Sequence, residues 1–395
     1  MNKQTDIATT IKYKANTTLK SKKLISLMNI LNVTSIQKWR GGEAQMYMYF
    51  ELLQEYKDLN QMILCPEDSV LAGKCKEKMQ KHFTYTIEHK VFSLIKPIIK
   101  ICKANKINVI HVHDSSALTA SLLALPFLSN KVQIVLSRKR NNKIKDKFIN
   151  RFKYSHPRII KIISVSKAVE KIFDPIIKDK SRLTTIYDAI DVAAFVGLEK
   201  QHLIHEEYNL PKETKIIGNV AALTVQKDLH TFIDTAKIIL AKTTDKQQIK
   251  FVIIGEGPLE DELIAYAKDQ GIAEHLLFMG HRKNVNQLLS DFDVFLLTSE
   301  TEGLPLTIYE ALASQVPVVA TCAGGIAEVV KNDSTGFVTD LKDANKLAEH
   351  VLELLINNEL ADHIKQNAYK LVKEHHDLKN IKESYYAFYK SLKIK

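Results

Sequence analysis

Two glutamates eight residues apart, Glu302 and Glu310, give this chain its clearest chemical signal. They lie in the segment SETEGLPLTIYEALASQVPVVATCAGGIAEVV (299–330), where Gly303 and Pro305 predict a loop that leads into a helix. A carboxylate can accept hydrogen bonds from both vicinal hydroxyls of a ribose or a hexose. The free N–H groups at a helix start can bind an anion such as phosphate. The pair therefore predicts a site for a phosphorylated sugar.

The same segment continues with a glycine pair, Gly324 and Gly325, directly after the predicted strand PVVAT. Such a pair lets the backbone approach a phosphate closely. The whole pattern resembles the donor-binding signature of retaining glycosyltransferases of family 4, which have the GT-B fold. That signature reads S-x-x-E-G-x-x-L-x-x-x-E-A-x-A-x-x-x-P-V-V-A followed by G-G-x-x-E, and every one of its elements is present here.

The resemblance implies a role for each residue of the segment. Glu310 would hold the ribose hydroxyls of a nucleotide sugar, and Glu302 would hold hydroxyls of the donor sugar. Backbone amides near Gly303 and Leu304 would support the sugar and the diphosphate. Two solvated glutamates beside a helix start would explain either residue alone, but not the whole pattern.

A second segment, NVAALTVQKDLH (219–230), resembles the family's G-R-L-x-x-x-K-G segment, whose arginine and lysine neutralise the leaving diphosphate. The lysine is present as Lys227, which the resemblance makes both catalytic and donor-binding, whereas Ala222 occupies the arginine position. Because a diphosphate leaving group needs cationic stabilisation, we expect another cation to contribute. The candidates for the diphosphate or for an anionic acceptor lie in the N-terminal half: Arg40, Arg138 and Arg140.

Two features of the N-terminal half follow predicted strands. WRGGEAQ (39–45) resembles the family's glycine-rich loop, which implies that Gly41 and Gly42 lie over the donor phosphates and near the acceptor. His113 ends the strand NVIHVHD, and the family often has a histidine at this strand end, close to the reaction centre. We therefore assign His113 a catalytic role and regard His111 as the weaker candidate.

Two loops of the C-terminal half, GEGP (255–258) and GHRKN (280–284), resemble family loops that line the nucleotide base. The resemblance implies donor contacts for Gly255 and Arg282. The tripeptide Asp291-Phe292-Asp293 spells D-x-D, a metal motif of a different glycosyltransferase fold. Since it directly precedes an apolar strand, we assign it no metal. We expect no metal ligand in the chain and no cofactor besides the nucleotide-sugar substrate.

Short apolar runs alternate with helical patterns along both halves, which predicts parallel sheets with helices on both faces. Ligands bind at the carboxyl ends of the strands in such sheets. The fold class is therefore α/β, and the resemblance implies GT-B, with two Rossmann-like parallel-sheet domains facing across a cleft. The predicted strands lie at 24–33, 61–66, 108–114, 132–137, 159–166, 214–221, 250–258, 276–280, 294–299, 317–321 and 336–340.

A chain of 395 residues exceeds one ordinary core, so two large domains are expected. Residues 1–22, which are polar and basic, are interpreted as a flexible extension. Residues 23–195 would form the acceptor domain and residues 196–378 the nucleotide-sugar donor domain. Residues 379–395 would form a helix that crosses back to the N-terminal domain, as it does in similar proteins.

Charge is distributed unevenly over the chain. Residues 1–200 contain 35 lysines and arginines against 17 acidic residues, a net charge of +18, while residues 201–395 carry −7. Unless the lysines only reflect codon usage, this asymmetry indicates that the N-terminal half meets an anionic partner. Its basic runs lack interleaved aromatic residues, and no helix-turn-helix or zinc module is evident. We therefore expect a membrane surface or a phosphorylated acceptor rather than nucleic acid.

The composition also bears on the compartment. No apolar run approaches the length of a transmembrane helix, and the N-terminus has no signal-peptide pattern. The four cysteines form no C-x-x-C pair, as expected of reduced thiols. We therefore expect a cytoplasmic protein that can associate peripherally with the cytoplasmic face of the inner membrane.

These observations predict a retaining, metal-independent hexosyltransferase. It would move a sugar from a UDP- or GDP-sugar to a saccharide or lipid-linked acceptor in the synthesis of cell-envelope polysaccharide or lipopolysaccharide. Two alternatives stay open: an epimerase of the same fold, and a non-catalytic basic binding or scaffold protein that retained the fold.

Overall fold

The computed structural model describes residues 27–89, 91–145, 147–195, 197 and 200–394. Within these residues lie two parallel sheets, of seven and six strands. The N-terminal sheet has the order β3-β2-β1-β4-β5-β6-β7 and the C-terminal sheet the order β10-β9-β8-β11-β12-β13. The strands are β1 (Met28–Val33), β2 (Leu59–Pro66), β3 (His82–Tyr85), β4 (Val109–Val112), β5 (Gln133–Arg138), β6 (Ile159–Ser164), β7 (Leu183–Thr185), β8 (Lys215–Val220), β9 (Ile249–Ile254), β10 (Leu276–Phe278), β11 (Val294–Leu297), β12 (Val318–Thr321) and β13 (Phe337–Thr339).

Helices cover the faces of both sheets. In the described part of the chain they are α1 (Gly41–Leu52), α2 (Val70–Glu77), α3 (Phe92–Ala104), α4 (Ser115–Ala124), α5 (Phe148–Ser155), α6 (Lys167–Lys171), α7 (Leu203–Glu207), α8 (Leu229–Lys242), α9 (Glu260–Asp269), α10 (Val285–Leu289), α11 (Leu306–Ala313), α12 (Ile326–Val329), α13 (Ala344–Ile356), α14 (Asn358–His375) and α15 (Leu378–Ser391). None of the helices in this part of the chain combines the length and hydrophobicity that crossing a bilayer requires.

The central strands form because their apolar runs are buried on both faces of each sheet. In the N-terminal sheet, one face packs against α3, α4 and α5 through residues such as Ile98 and Leu118. The opposite face packs against α1 and α15, where Tyr49 lies against Tyr385 and the rings of Tyr56 and Tyr386 stack 3.7 Å apart. The last helix of the chain therefore lies on the N-terminal domain.

The two α/β units expected from the alternating pattern are present, and three details differ. The strands β3 and β7 were not predicted, because they are short, mostly half-buried and contain no apolar run. Helix α1 begins at Gly41 rather than near Glu43, so the glycine pair opens the helix instead of forming a separate loop. The predicted extension 1–22 lies outside the described residues.

Candidate active site

Lys227 and Glu302 form an ion pair at the carboxyl ends of β8 and β11. The Lys227 Nζ lies 2.5 Å from Glu302 Oε1, and both side chains are largely shielded from water. Residues that follow β11 hold the turn that carries Lys227. The Thr298 hydroxyl donates to the carbonyl of Asp228 at 2.9 Å. The amide of Glu300 also donates to the carbonyl of Gln226 at 2.9 Å. The fold thus brings together two residues that lie 75 positions apart in the sequence.

Glu310 occupies the fifth position of α11, and the residue is half-buried. Desolvation raises the pKa of its carboxyl to about 7. Within the described residues its side chain has no hydrogen-bond or ion-pair partner. Desolvation of an ionised carboxyl is costly, and hydroxyl donors from a ligand would offset that cost.

The loops after β11 and β12 touch at backbone level. Gly325 N donates to the carbonyl of Gly303 at 2.9 Å. Gly324 has φ +60°, and a Cβ on it would lie 1.8 Å from the carbonyl oxygen of Glu302. Only glycine fits such an approach. The glycine pair therefore sets the path of the loop that carries Glu302, while Leu304 anchors this loop in the core.

The loop after β9 packs against the loop after β8. Gly255 has φ +143°, and a Cβ on it would lie 2.0 Å from the carbonyl oxygen of Ala221. Ala222, at the position of the missing arginine, is exposed at the surface of this packed pair of loops. Arg282 is held by the carbonyl of Met279 and by an ion pair with Glu207, so its guanidinium already has protein partners.

The two domains meet at Gly303. The hydroxyl of Ser166, which follows β6, donates to the Gly303 carbonyl at 3.0 Å. A Cβ on Gly303 would lie 2.2 Å from the carbonyl oxygen of Lys139, so the chain after β5 also passes directly over this glycine. The Lys139 Nζ donates to the carbonyl of Gly42 at 2.6 Å. The predicted glycine-rich segment and the donor loop are thus joined through one lysine.

Lys139 belongs to a buried polar cluster that sequence reasoning missed. Its ammonium group is buried and faces the carboxylates of Asp188 and Glu43, and burial lowers its pKa. Burial raises the pKa of Asp188 to about 6, against the opposing effects of Lys139 and of hydrogen bonds from Gln45 and Tyr49. Side chains alternate along a strand, so the buried Ser137 on β5 was a signal that Lys139, two residues on, points inward.

The three arginines proposed as extra cations lie elsewhere. Arg138 turns back on its own loop, where its guanidinium donates to the carbonyls of Arg140 and Asn142 at 3.0 and 2.8 Å. Arg140 itself is exposed, and so is Arg40, which precedes α1. None of the three has a described contact with the Lys227–Glu302 pair.

His111 on β4 and His113, which directly follows this strand, have different environments. His111 is fully engaged: its Nδ1 lies 2.6 Å from the Tyr389 hydroxyl and its Nε2 lies 2.8 Å from the Ser137 hydroxyl. His113 shares one hydrogen bond, between Nε2 and Asn32 Oδ1 at 3.2 Å, and its buried Nδ1 has no partner. Burial lowers the pKa of His113 well below its usual value, so the ring is neutral.

Glu328, the glutamate of G-G-x-x-E, is the second feature that sequence reasoning left without a role. Its carboxylate accepts hydrogen bonds from the amides of Lys167 and Ala168 at 2.9 and 2.8 Å, and from the Tyr187 hydroxyl at 2.7 Å. Lys167 and Ala168 begin α6 of the N-terminal domain, where unpaired N–H groups favour a negative charge. Glu328 therefore fastens the donor domain to the other domain.

The D-x-D pair is occupied by protein groups. Asp291 accepts hydrogen bonds from the amides of His202 and Ile204, at the start of α7. Asp293 pairs with Lys200 and Lys215 and accepts from the amide of Ile216. The two carboxylates therefore hold the start of α7 and the start of β8 in place.

Comparison with known proteins places this geometry in context. Residues 200–371 match the family described as Glycosyl transferases group 1. The chain is 24% identical over 330 residues to N-acetyl-alpha-D-glucosaminyl L-malate synthase of Bacillus anthracis, with 82% of this chain and 79% of that protein covered. It is 26% identical over 336 residues to UDP-Gal:alpha-D-GlcNAc-diphosphoundecaprenol alpha-1,3-galactosyltransferase of Escherichia coli, with 80% and 85% covered.

Among solved structures, Anabaena HepE in complex with UDP-glucose superimposes with a TM-score of 0.79. The match covers 92% of this chain and 100% of that one at 18% sequence identity. At this identity the match shows the shared fold.

Proposed function

This chain belongs to the group 1 glycosyl transferases and has the GT-B fold, and we propose that it is a retaining transferase that uses a UDP- or GDP-sugar. The donor would bind at the carboxyl ends of the C-terminal strands. The half-buried carboxylate of Glu310, which has no partner among the described residues and a pKa raised to about 7 by desolvation, is the observation that carries this proposal. The vicinal hydroxyls of a ribose supply the two donors that this carboxylate lacks.

In the proposed reaction, Lys227 faces the diphosphate and Glu302 holds hydroxyls of the sugar. The N–H groups near Gly303 and at the start of α11 offset the charge on the leaving group. The bond between the anomeric carbon and the phosphate oxygen breaks while the acceptor hydroxyl attacks from the same face. That phosphate oxygen takes the hydroxyl proton, so no protein nucleophile is required.

Contacts between the domains support exclusion of water from this reaction. Ser166 and Lys139 of the N-terminal domain lie directly against Gly303, beside Glu302. Closed packing at this point would limit hydrolysis of the donor. His113, neutral and with a free ring nitrogen, is proposed to contact the donor sugar or the acceptor.

We propose a saccharide or lipid-linked acceptor of the cell envelope, reached at the cytoplasmic face of the membrane. The net charge of +18 in the N-terminal half supports an anionic acceptor or surface. The relative from Escherichia coli is named for a diphosphoundecaprenol acceptor, whereas the relative from Bacillus anthracis is named for L-malate. Acceptors of both kinds carry negative charge.

A thermal-shift screen against UDP, GDP, ADP and CMP, each with and without EDTA, tests the donor site. We expect a clear rise in Tm with UDP or GDP that EDTA does not change, because a ligand stabilises the state that it binds. Loss of the shift with EDTA would contradict metal independence. Nuclear magnetic resonance of the product's anomeric configuration would then test retention.

The exposed Ala222 favours one competing function, a protein that keeps the fold without catalysis. Without the arginine, the described donor loops supply Lys227 as the cation next to Glu302. A protein with no nucleotide-induced shift, and with no transfer from any nucleotide sugar, would be a binding protein. Restoring the cation with Ala222→Arg should raise turnover if the site is catalytic.

A further inference from the structure

One face of the N-terminal domain exposes bulky apolar side chains. The exposed phenylalanines of the described chain are Phe92 on α3, Phe127 just after α4, and Phe148 and Phe152 on α5. On α5, Phe148, Ile149 and Phe152 are 85%, 70% and 68% exposed. Three of these side chains are gathered on the one helix α5, and a group of large exposed apolar residues marks an interaction site. We call this surface, formed by α3, α4 and α5 with these five residues, the basic aromatic face.

Folding does not account for the exposed side of α5. The helix is attached to its domain by other residues: Tyr154 is buried against Phe173, and Lys153 Nζ donates to the carbonyl and hydroxyl of Ser115 at 2.7 and 2.8 Å. The helix therefore keeps its position without Phe148 and Phe152. Their exposure leaves them available to a partner.

The charge around this face is of one sign. Between His89 and Val169 the sequence contains 17 lysines and arginines and only two acidic residues, Asp114 and Asp146. The carboxylate of Asp114 is used within the domain, because it accepts from Ser35 and from the first amides of α4. The lysines that flank the apolar side chains, among them Lys96, Lys145 and Lys147, are exposed.

We infer that the basic aromatic face docks on an anionic lipid bilayer, with Phe148, Ile149 and Phe152 inserted among the headgroups. Lysines around an apolar centre are the pattern of interfacial membrane binding. Nucleic acid would satisfy the lysines, but it would leave three adjacent apolar side chains of one helix without an apolar environment. The inference rests on the proposed function in one respect: docking would give the enzyme access to a lipid-linked acceptor.

The position of α5 relative to the cleft supports this orientation. The segment 139–148 runs from Lys139, whose carbonyl lies over Gly303, to the first residue of α5. Ten residues span roughly 30 Å when fully extended. The start of this segment is shaped by the Arg138 guanidinium. A bilayer under α5 would therefore lie within roughly 30 Å of Gly303. An acceptor whose lipid stays in the membrane could extend over that distance to the cleft.

Co-sedimentation with vesicles tests the inference directly. The full chain without nucleotide should bind vesicles of phosphatidylglycerol and phosphatidylethanolamine, and bind those of phosphatidylcholine weakly. The double variant Phe148→Ser/Phe152→Ser should lower the partition coefficient on anionic vesicles by about tenfold or more. Its matched control is Ile264→Ser/Ile356→Ser, which removes two exposed apolar side chains of the donor domain and should bind like the wild type.

The variant Lys143→Gln/Lys145→Gln/Lys147→Gln tests how much the positive charge contributes to vesicle binding. It should lower binding to anionic vesicles by about tenfold and make the remaining binding less sensitive to salt. Equal binding to anionic and neutral vesicles would overturn the inference. So would a wild-type partition coefficient for Phe148→Ser/Phe152→Ser. Loss of self-association or of RNA binding by this variant, with no vesicle binding by the wild type, would assign the face to that partner instead.

Failure of the docking inference is distinguishable from failure of the proposed function. The nucleotide-induced rise in Tm reports only the donor site and should be the same in wild type and in Phe148→Ser/Phe152→Ser. Binding of anionic vesicles without binding of any nucleotide would contradict the transferase proposal and support the docking inference. Binding of UDP without binding of vesicles would support the donor site and contradict the docking inference.

Discussion

The two domains hold their buried charges in opposite ways. In the N-terminal domain, Lys139 is buried facing Asp188 and Glu43, and its ammonium donates to the backbone of Gly42. In the donor domain, Glu310 is half-buried without any described partner, and desolvation raises its pKa to about 7. The N-terminal cluster compensates its own charges, whereas Glu310 can still accept hydrogen bonds from a ligand.

This difference separates residues that hold the fold from residues that hold a substrate. Removing one member of a set of buried charges leaves its partners uncompensated, which lowers stability. A partly desolvated group without a partner also costs stability, and groups with shifted pKa values cluster at functional sites. We therefore expect substitutions in the N-terminal cluster to change the free energy of unfolding, and substitutions at Glu302 and Glu310 to change activity and binding.

The largest expected effect belongs to Lys139→Met. Removing the ammonium leaves the carboxylates of Asp188 and Glu43 buried without their cation, so the free energy of unfolding should fall by about 3 to 5 kcal/mol at pH 8. Urea unfolding measures it. The control is Lys143→Met, an exposed lysine of the same segment, which should be within about 0.5 kcal/mol of the wild type. Equal stability of both variants would remove the distinction between the domains.

Glu302→Ala should have the opposite profile. Loss of sugar positioning should lower kcat by about a hundredfold, while the Tm should fall less than in Lys139→Met, because Lys227 keeps access to water after its partner is removed. A steady-state transfer assay and a melting curve of the same preparation provide both values. Glu300→Ala is the matched control. Glu300 lies two residues before Glu302, and its carboxylate pairs with Lys342 at the surface. Wild-type turnover in Glu302→Ala would show that the role assigned to Glu302 is wrong.

The sequence contains a local pattern for the proposed donor site but none for the buried polar cluster of the N-terminal domain, and this contrast has a structural origin. Glu302, Gly303 and Glu310 lie within nine residues, so one local pattern contains them. Lys139, Asp188 and Glu43 come from three distant segments, and their proximity exists only after the sheet and α1 are packed. Strands β3 and β7 were missed because they have no buried apolar run.

Glu310 predicts a specific pH dependence of nucleotide binding. Ribose hydroxyls donate to the ionised carboxylate, so binding must lower its pKa from about 7. Affinity for UDP should therefore be constant above pH 7 and fall by up to about tenfold per unit below it. Titration calorimetry between pH 5.5 and 8.5, in buffers of different ionisation enthalpy, should detect proton release on binding near pH 6. Glu310→Gln should bind more weakly and without this pH dependence.

The same group affects stability in the absence of ligand. The pKa of Glu310 is raised in the folded state above its ordinary value of 4.5, so the folded protein binds the extra proton. Stability relative to Glu310→Gln should therefore decrease as pH rises from 4.5 to about 7, by up to about 3 kcal/mol. A constant difference between the two proteins over this range would mean that Glu310 is already paired in solution.

The smallest expected effect, and the one that joins the two domains, belongs to Glu328. Glu328→Gln keeps the side-chain shape but removes the charge that faces the first amides of α6, which should cost about 1 kcal/mol. Because this contact spans the domains, the closed arrangement should be less populated, and kcat/KM should fall about fivefold while UDP affinity is unchanged. Small-angle scattering should give a larger radius of gyration. The control is Glu349→Gln, a surface pair with Lys346, and an equal kcat/KM in both variants would mean that closure does not depend on Glu328.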